Sequence, residues 1–142
     1  MNDKQITEFQ GKCLCGAVVV HMRHSRPSMS VCHCNFCRRW AGGPFMTVEC
    51  HDAPRIEGLE QVRIYPSSDW AERGFCTQCG THLFYRLRDA EFYALPVGLF
   101  DKGGDWPFEL QVFVDQKPGN YQFSNTTQEI TGEDVFKAWS SS

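Results

Sequence analysis

The chain has 142 residues, 13% of them aromatic, and a formal charge of -3 from 14 Lys and Arg against 17 Asp and Glu. That length suits one domain with a buried core, so residues 1–142 are read as a single unit. No apolar run is long enough to span a bilayer, and the acidic balance with scattered basic residues argues against a nucleic-acid surface.

In chain order, the first predicted element is a strand at Ala17–Val20, a β-branched run of the kind that packs in a sheet. A short helix is expected to begin near Asn35, because Cys37-Arg38-Arg39-Trp40-Ala41 suits a helix better than a turn. Strands follow at Phe45–Cys50, Gln61–Tyr65, Thr81–Arg86, Glu91–Val97 and Glu109–Val114. Pro96 favours a strand end or a sheet edge. Gly42-Gly43-Pro44 and Asp101–Asp105 read as loops. A second helix is predicted over Glu133–Trp139, with Thr131 and Asp134 as a capping signal. The predicted fold class is mainly β with one or two short helices.

Seven of the eight cysteines fall in three tight clusters. These are Cys13-Leu14-Cys15, Cys32-His33-Cys34-Asn35-Phe36-Cys37 and Cys76-Thr77-Gln78-Cys79, and thiols so spaced read as zinc ligands. A structural zinc is closed by four protein ligands, whereas a working zinc keeps a position open. Cys15 and Cys79 are each followed by glycine, which lets the chain turn its amides toward sulfur. Cys13, Cys15, Cys76 and Cys79 are therefore assigned to a structural zinc. Cys32, Cys34 and Cys37 are assigned to a second, open zinc, giving two zinc ions per chain.

Two plainer readings stand beside this one. An even number of cysteines also suits disulfides in a small secreted domain, but Met1–Gln5 shows no apolar signal segment and C-x-C neighbours bridge poorly. Both zincs could instead be structural, with Cys50, His51 or His33 as the eighth ligand. Reduced thiols and the missing signal together point to the cytoplasm.

Gly11-x-Cys13-x-Cys15-Gly16, Cys32-His33-Cys34-x-x-Cys37-Arg38 and Phe75-Cys76-x-x-Cys79-Gly80-x-x-Leu83 occur in this order. With them the chain resembles the glutathione-dependent formaldehyde-activating enzyme family, which includes centromere protein V. Val97–Asp101 and Phe113–Gly119 are more loosely similar to that family's later strands. The resemblance implies an antiparallel β-tent, in which two zinc-clamped layers meet. It implies the same division of cysteines between a structural and a catalytic zinc. The implied activity is a carbon–sulfur lyase reaction that joins formaldehyde to glutathione as S-(hydroxymethyl)glutathione.

The nucleophile in such a reaction is a substrate thiol, of which only the thiolate attacks, and a free thiol has a pKa near ~8.5. A zinc with three thiolates and one vacant place deprotonates a fourth thiol outright. Such an ion is electron-rich, so activating the thiol is the better-suited role than polarising the aldehyde. Glutathione carries two carboxylates, and Arg38 and Arg39 beside the open site are the candidate contacts; Arg38 serves equally to pair an internal carboxylate or cover the thiolates. Trp40 and Phe45 are candidate pocket walls, with plain core the stronger expectation. His33, between two ligands, is expected to face away from the metal and hydrogen-bond around it. His82 is a weak proton-shuttle candidate, and Cys50 is expected to be a buried hydrophobe. The competing functions are a zinc enzyme or carrier for another thiol or aldehyde, and a non-catalytic zinc module that binds protein or nucleic acid, with the charge speaking against nucleic acid.

Overall fold

The computed structural model describes residues 5–140, without the side chains at 139 and 140; residues 1–4, read above as lacking a signal segment, lie outside it. The described residues form eleven strands in two sheets and two short helices. The small sheet joins β1 (Thr7–Lys12), β2 (Val19–His24) and β5 (Arg55–Glu57) in antiparallel pairs. The large sheet runs β11-β10-β3-β4-β9-β8-β7-β6. Its members are β3 (Met29–Cys32), β4 (Phe45–Cys50), β6 (Val62–Tyr65), β7 (Ala71–Cys76), β8 (His82–Leu87), β9 (Tyr93–Pro96), β10 (Phe108–Val112) and β11 (Gln128–Ile130). Most pairs are antiparallel, but β10 pairs parallel with both β3 and β11.

The helices are α1 (Asn35–Ala41) and α2 (Gly132–Ser140). α1 starts where the sequence places it, with Cys34 as N-cap and Gly42 closing it at φ 85°. A left-handed residue there is a common helix stop, and glycine takes it without strain. α2 is capped by Thr131, whose Oγ1 accepts the Asp134 N–H at 3.2 Å. The first predicted strand shifts: Ala17 and Val18 belong to the turn after the cysteines, and pairing begins at Val19. Pro96 is the last residue of β9, a strand end as expected.

The two faces of the large sheet do different work. Side chains alternate along a strand, so Val48 and Cys50 of β4 and Leu95 of β9 enter the core with Val20 and Met22 of the small sheet. Phe45, Thr47 and Glu49 of β4 and Ala94 of β9 face a cavity on the other side. Gly11 lies where the sheets meet, bridging Phe100. A Cβ there would stand 2.8 Å from the Leu99 carbonyl oxygen, so only glycine allows the approach. No helix among the described residues is long and apolar enough to cross a membrane.

Candidate metal centres

Cys13 and Cys15 leave β1, Cys76 ends β7, and Cys79 lies in the turn to β8. Their four Sγ atoms lie within 4.8 Å of one another. Cys15 Sγ is 3.7 Å from Cys13 Sγ and 3.8 Å from Cys76 Sγ. Zn–S arms of about 2.3 Å in a tetrahedron set the sulfurs about 3.8 Å apart, so the donor set fits zinc in kind and in spacing. Gly16 and Gly80 turn at φ 83° and 79°, as the sequence expectation requires. Through the first turn the Val18 N–H reaches Cys13 Sγ at 3.3 Å. Thr81 Oγ1 lies 3.1 Å from Cys79 Sγ, and this bond, with the Thr81 amide, holds the Cys79 thiol down at about 5. Because β1 belongs to the small sheet and β7 to the large one, an ion here would tie the two sheets together.

The second cluster is built on the other face. Cys32 ends β3, Cys34 caps α1, and Cys37 lies one turn inside it, with all three Sγ atoms within 4.8 Å of one another. The Cys37 N–H donates to Cys34 Sγ at 3.3 Å. Hydrogen bonds from Cys32 and Cys37 hold the Cys34 thiol down at about 2. The same contact with Cys34 pushes the Cys32 thiol up. Like charges this close oppose one another, so full ionisation of the three calls for a cation among them. No fourth Cys, His, Asp or Glu joins the set among the described residues. Cys50 is buried in the core, where burial pushes its thiol up to about 12.

Beside these three thiols opens a cavity of about 390 Å³. Strand register lays out its floor. Glu49 pairs with Ala94, Ala94 with Tyr85, and Tyr85 with Arg73, giving one row across β4, β9, β8 and β7. A second row runs Ile130, Val112, Cys32, Phe45. All of these residues line the cavity, and α1 and α2 wall it.

Arg73 is 3% exposed. Its two terminal nitrogens lie 3.7 and 3.8 Å from Cys37 Sγ, and its Nε donates to Ser67 Oγ at 3.1 Å. Its guanidinium carbon stands 5.0 Å from the Trp40 ring centre and 4.9 Å from that of Tyr85. Burial, chiefly, pushes the Tyr85 phenol above its ordinary range and the Glu49 carboxyl above its own.

The other predicted residues separate. Arg38 donates through Nε to the His33 carbonyl at 2.9 Å and pairs with Asn35 Oδ1, and it borders a different hollow with Tyr121 and Pro118. Arg39 is exposed and does not line the cavity. Phe45 does line it, while Trp40 stacks on His82 at 3.9 Å. His33 faces away from the sulfurs: its Nε2 lies 2.8 Å from Gln111 Oε1 and its Nδ1 2.7 Å from Tyr121 Oη. Since an amide oxygen only accepts, Nε2 carries the proton and Nδ1 accepts from the phenol. Sequence reading missed Arg73, Tyr85 and Glu49. The alternation Phe45, Thr47, Glu49 was the available signal for the last of them.

The fold and its thiols define a two-sheet β-protein with a closed four-thiol centre and a three-thiol centre facing a cavity. The chain belongs to the glutathione-dependent formaldehyde-activating enzyme family, which matches it over residues 8–116. A Schizosaccharomyces pombe protein described as an uncharacterized lyase is 37% identical over 132 residues, covering 92% of this chain and 96% of that one. A solved Rhodobacter sphaeroides protein shares the fold, with a TM-score of 0.51 at 23% identity, over 70% of this chain and 98% of that one.

Proposed function

We propose that this chain is a zinc-dependent carbon–sulfur lyase acting on glutathione adducts, in the simplest case joining formaldehyde and glutathione as S-(hydroxymethyl)glutathione. The family and the lyase-named relative support the reaction class. The observation that carries the reading is the three thiols, within 4.8 Å of one another, in the wall of a cavity. In this proposal Cys13, Cys15, Cys76 and Cys79 hold a structural zinc, Cys32, Cys34 and Cys37 hold an open one, and residues 1–142 form one domain. It works in a reducing compartment, the cytoplasm, because the ligand thiols must stay reduced.

Zinc bound by three thiolates supplies one thing, a lowered pKa for a substrate thiol. The chain's own residues supply the rest. The cavity, walled by α1 and α2, holds the carbonyl carbon beside the sulfur. Arg73 fixes Cys37 and balances negative charge on the sulfurs. The sulfur–carbon bond forms as the carbonyl π pair moves to oxygen, and that oxygen takes a proton. Tyr85, kept protonated by burial, offers an O–H toward it. In the lyase direction each step reverses. Arg38 and Arg39, outside the cavity, are left to meet parts of the thiol that stay in solvent.

The test is the rate of adduct formation from glutathione and aldehyde with wild type, with Cys37→Ser and without protein, because thiols add to aldehydes unaided. A wild-type rate above both controls is expected. A wild-type rate equal to the background removes the enzyme reading.

A further inference from the structure

The cavity beside Cys32, Cys34 and Cys37 is far larger than a one-carbon aldehyde, and its walls are mostly hydrocarbon. Its volume is about 390 Å³, whereas a water molecule occupies about 30 Å³ of liquid and formaldehyde has only one more heavy atom. Phe36, Trp70, Leu110, Phe113, Ile130 and Phe136 line it. Trp70 is 45% exposed and Phe36 is 47% exposed, so an apolar group entering the cavity would take aromatic surface out of water.

The charges say what does not enter. Apart from the thiols, the lining among the described residues carries one acid, Glu49, and one base, Arg73. Arg73 already faces Cys37. A ligand carboxylate inside would therefore meet no free cation, and burying it unpaired is strongly unfavourable. The two carboxylates of glutathione belong outside the cavity.

Backbone geometry adds an independent sign. Phe113 is the non-glycine residue with positive φ among the described residues, at 58°. A bulky residue rarely holds that conformation, and strain of this kind gathers at binding sites. It sets the Phe113 ring in the cavity wall against α2, 5.8 Å from the Phe136 ring. Gly132 makes the room, since a Cβ there would stand 2.5 Å from the Phe113 ring.

Resting on the carbon–sulfur reading above, we propose that the cavity takes an aryl or branched-alkyl group carried on the carbon next to the reacting sulfur. The carbonyl partner is then an apolar aldehyde, R–CHO, and the adduct is S–CH(OH)–R with R in the cavity. The thiolate forms the S–C bond, the π pair moves to oxygen, and oxygen gains a proton, so nothing is oxidised or reduced. A cavity this size suits a small molecule and not a helix.

The test is calorimetric binding of two thiols to the zinc-loaded full chain, phenylmethanethiol as mimic of the aryl adduct and 2-mercaptoethanol as a small polar control. Burial of the ring should make phenylmethanethiol bind about 10- to 100-fold tighter. Trp70→Ala and Phe136→Ala, both at partly exposed positions, should each cut that preference several-fold and leave 2-mercaptoethanol binding unchanged, with melting curves confirming that they fold. Equal affinity for the two thiols overturns the proposal, as does a variant that weakens both equally. A dimer in sedimentation, with no gain for the aryl thiol, means a second copy covers the face and also overturns it. Turnover of glutathione and formaldehyde without aryl preference removes this proposal and keeps the lyase reading. Aryl preference without any accelerated adduct chemistry removes the lyase reading and, with it, the aldehyde step proposed here.

Discussion

Both terminal nitrogens of Arg73 lie against Cys37 Sγ, at 3.7 and 3.8 Å, while its flat faces meet Trp40 and Tyr85. A buried cation needs a counter-charge, and here the sulfurs provide it. Lysine at this position keeps the charge but loses the forked, stacked geometry. Arg73→Lys should weaken metal binding at the three-thiol centre by about 10- to 100-fold, the range for residues that support metal ligands. The four-thiol centre should be unaffected. Chelator competition separates the two, and equal weakening of both centres, or of neither, contradicts the assignment.

The two centres should also fail differently. Metal analysis of the reduced protein should find two zinc ions per chain, one for each thiol set. Structural zinc can supply on the order of 10 kcal/mol, comparable to the whole stability of a small domain. Cys79→Ser should therefore unfold or aggregate the chain. Cys37→Ser should stay folded and lose one zinc with its activity. Two variants with the same melting behaviour would mean that neither centre is specifically the clamp between the sheets.

The two thiol clusters were legible in the sequence because their cysteines are local: C-x-C, C-x-C-x-x-C and C-x-x-C spacings write them into short stretches. Both helices and six strands were legible for a similar reason, since caps, β-branched runs and turn residues act locally. β7 was missed because its sequence, Ala71-Glu72-Arg73-Gly74-Phe75-Cys76, is a poor strand on propensity. Its neighbours make it one. A Cβ on Gly74 would stand 2.4 Å from the Phe84 ring, so glycine there lets that ring lie over the strand, and Arg73 pairs across to Tyr85. Arg73 reaches Cys37 from 36 residues away, a distance no local pattern spans. Arg38 is adjacent to Cys37 in sequence, yet a helix turns successive side chains about a hundred degrees apart, and Arg38 points to His33 and Asn35 instead.

Gly11 tests the junction of the sheets. A methyl at this position would press on the Leu99 carbonyl, at 2.8 Å, and on Leu99 Cβ, at 3.0 Å. Backbone cannot swing aside as a flexible side chain can. Gly11→Ala should lower stability by about 1–3 kcal/mol, the usual effect of overpacking, measured by denaturant unfolding. Because Cys13 follows two residues later, the variant should also weaken metal binding at the four-thiol centre. An unchanged midpoint would show that the sheets can part locally without consequence.

His82 gives the fold an acid-sensitive element. Burial lowers its pKa below the ordinary histidine value, and the nearby Arg73 charge lowers it further. The ring is held neutral against Trp40, with centroids 3.9 Å apart and planes 11° from parallel. In the unfolded chain the same ring titrates near ~6.5. As pH falls through that value the unfolded state binds a proton first, so stability must fall with it. The contribution is present above the unfolded pKa and is lost as pH drops through the lower, folded one. His82→Phe keeps an aromatic face for Trp40 and removes the titrating group. Melting temperatures of the two proteins should be compared from pH 8 to pH 5. The difference between them should shift in favour of the variant below about pH 6.5. Parallel curves over the whole range would mean that His82 takes up its proton as readily in the fold as out of it.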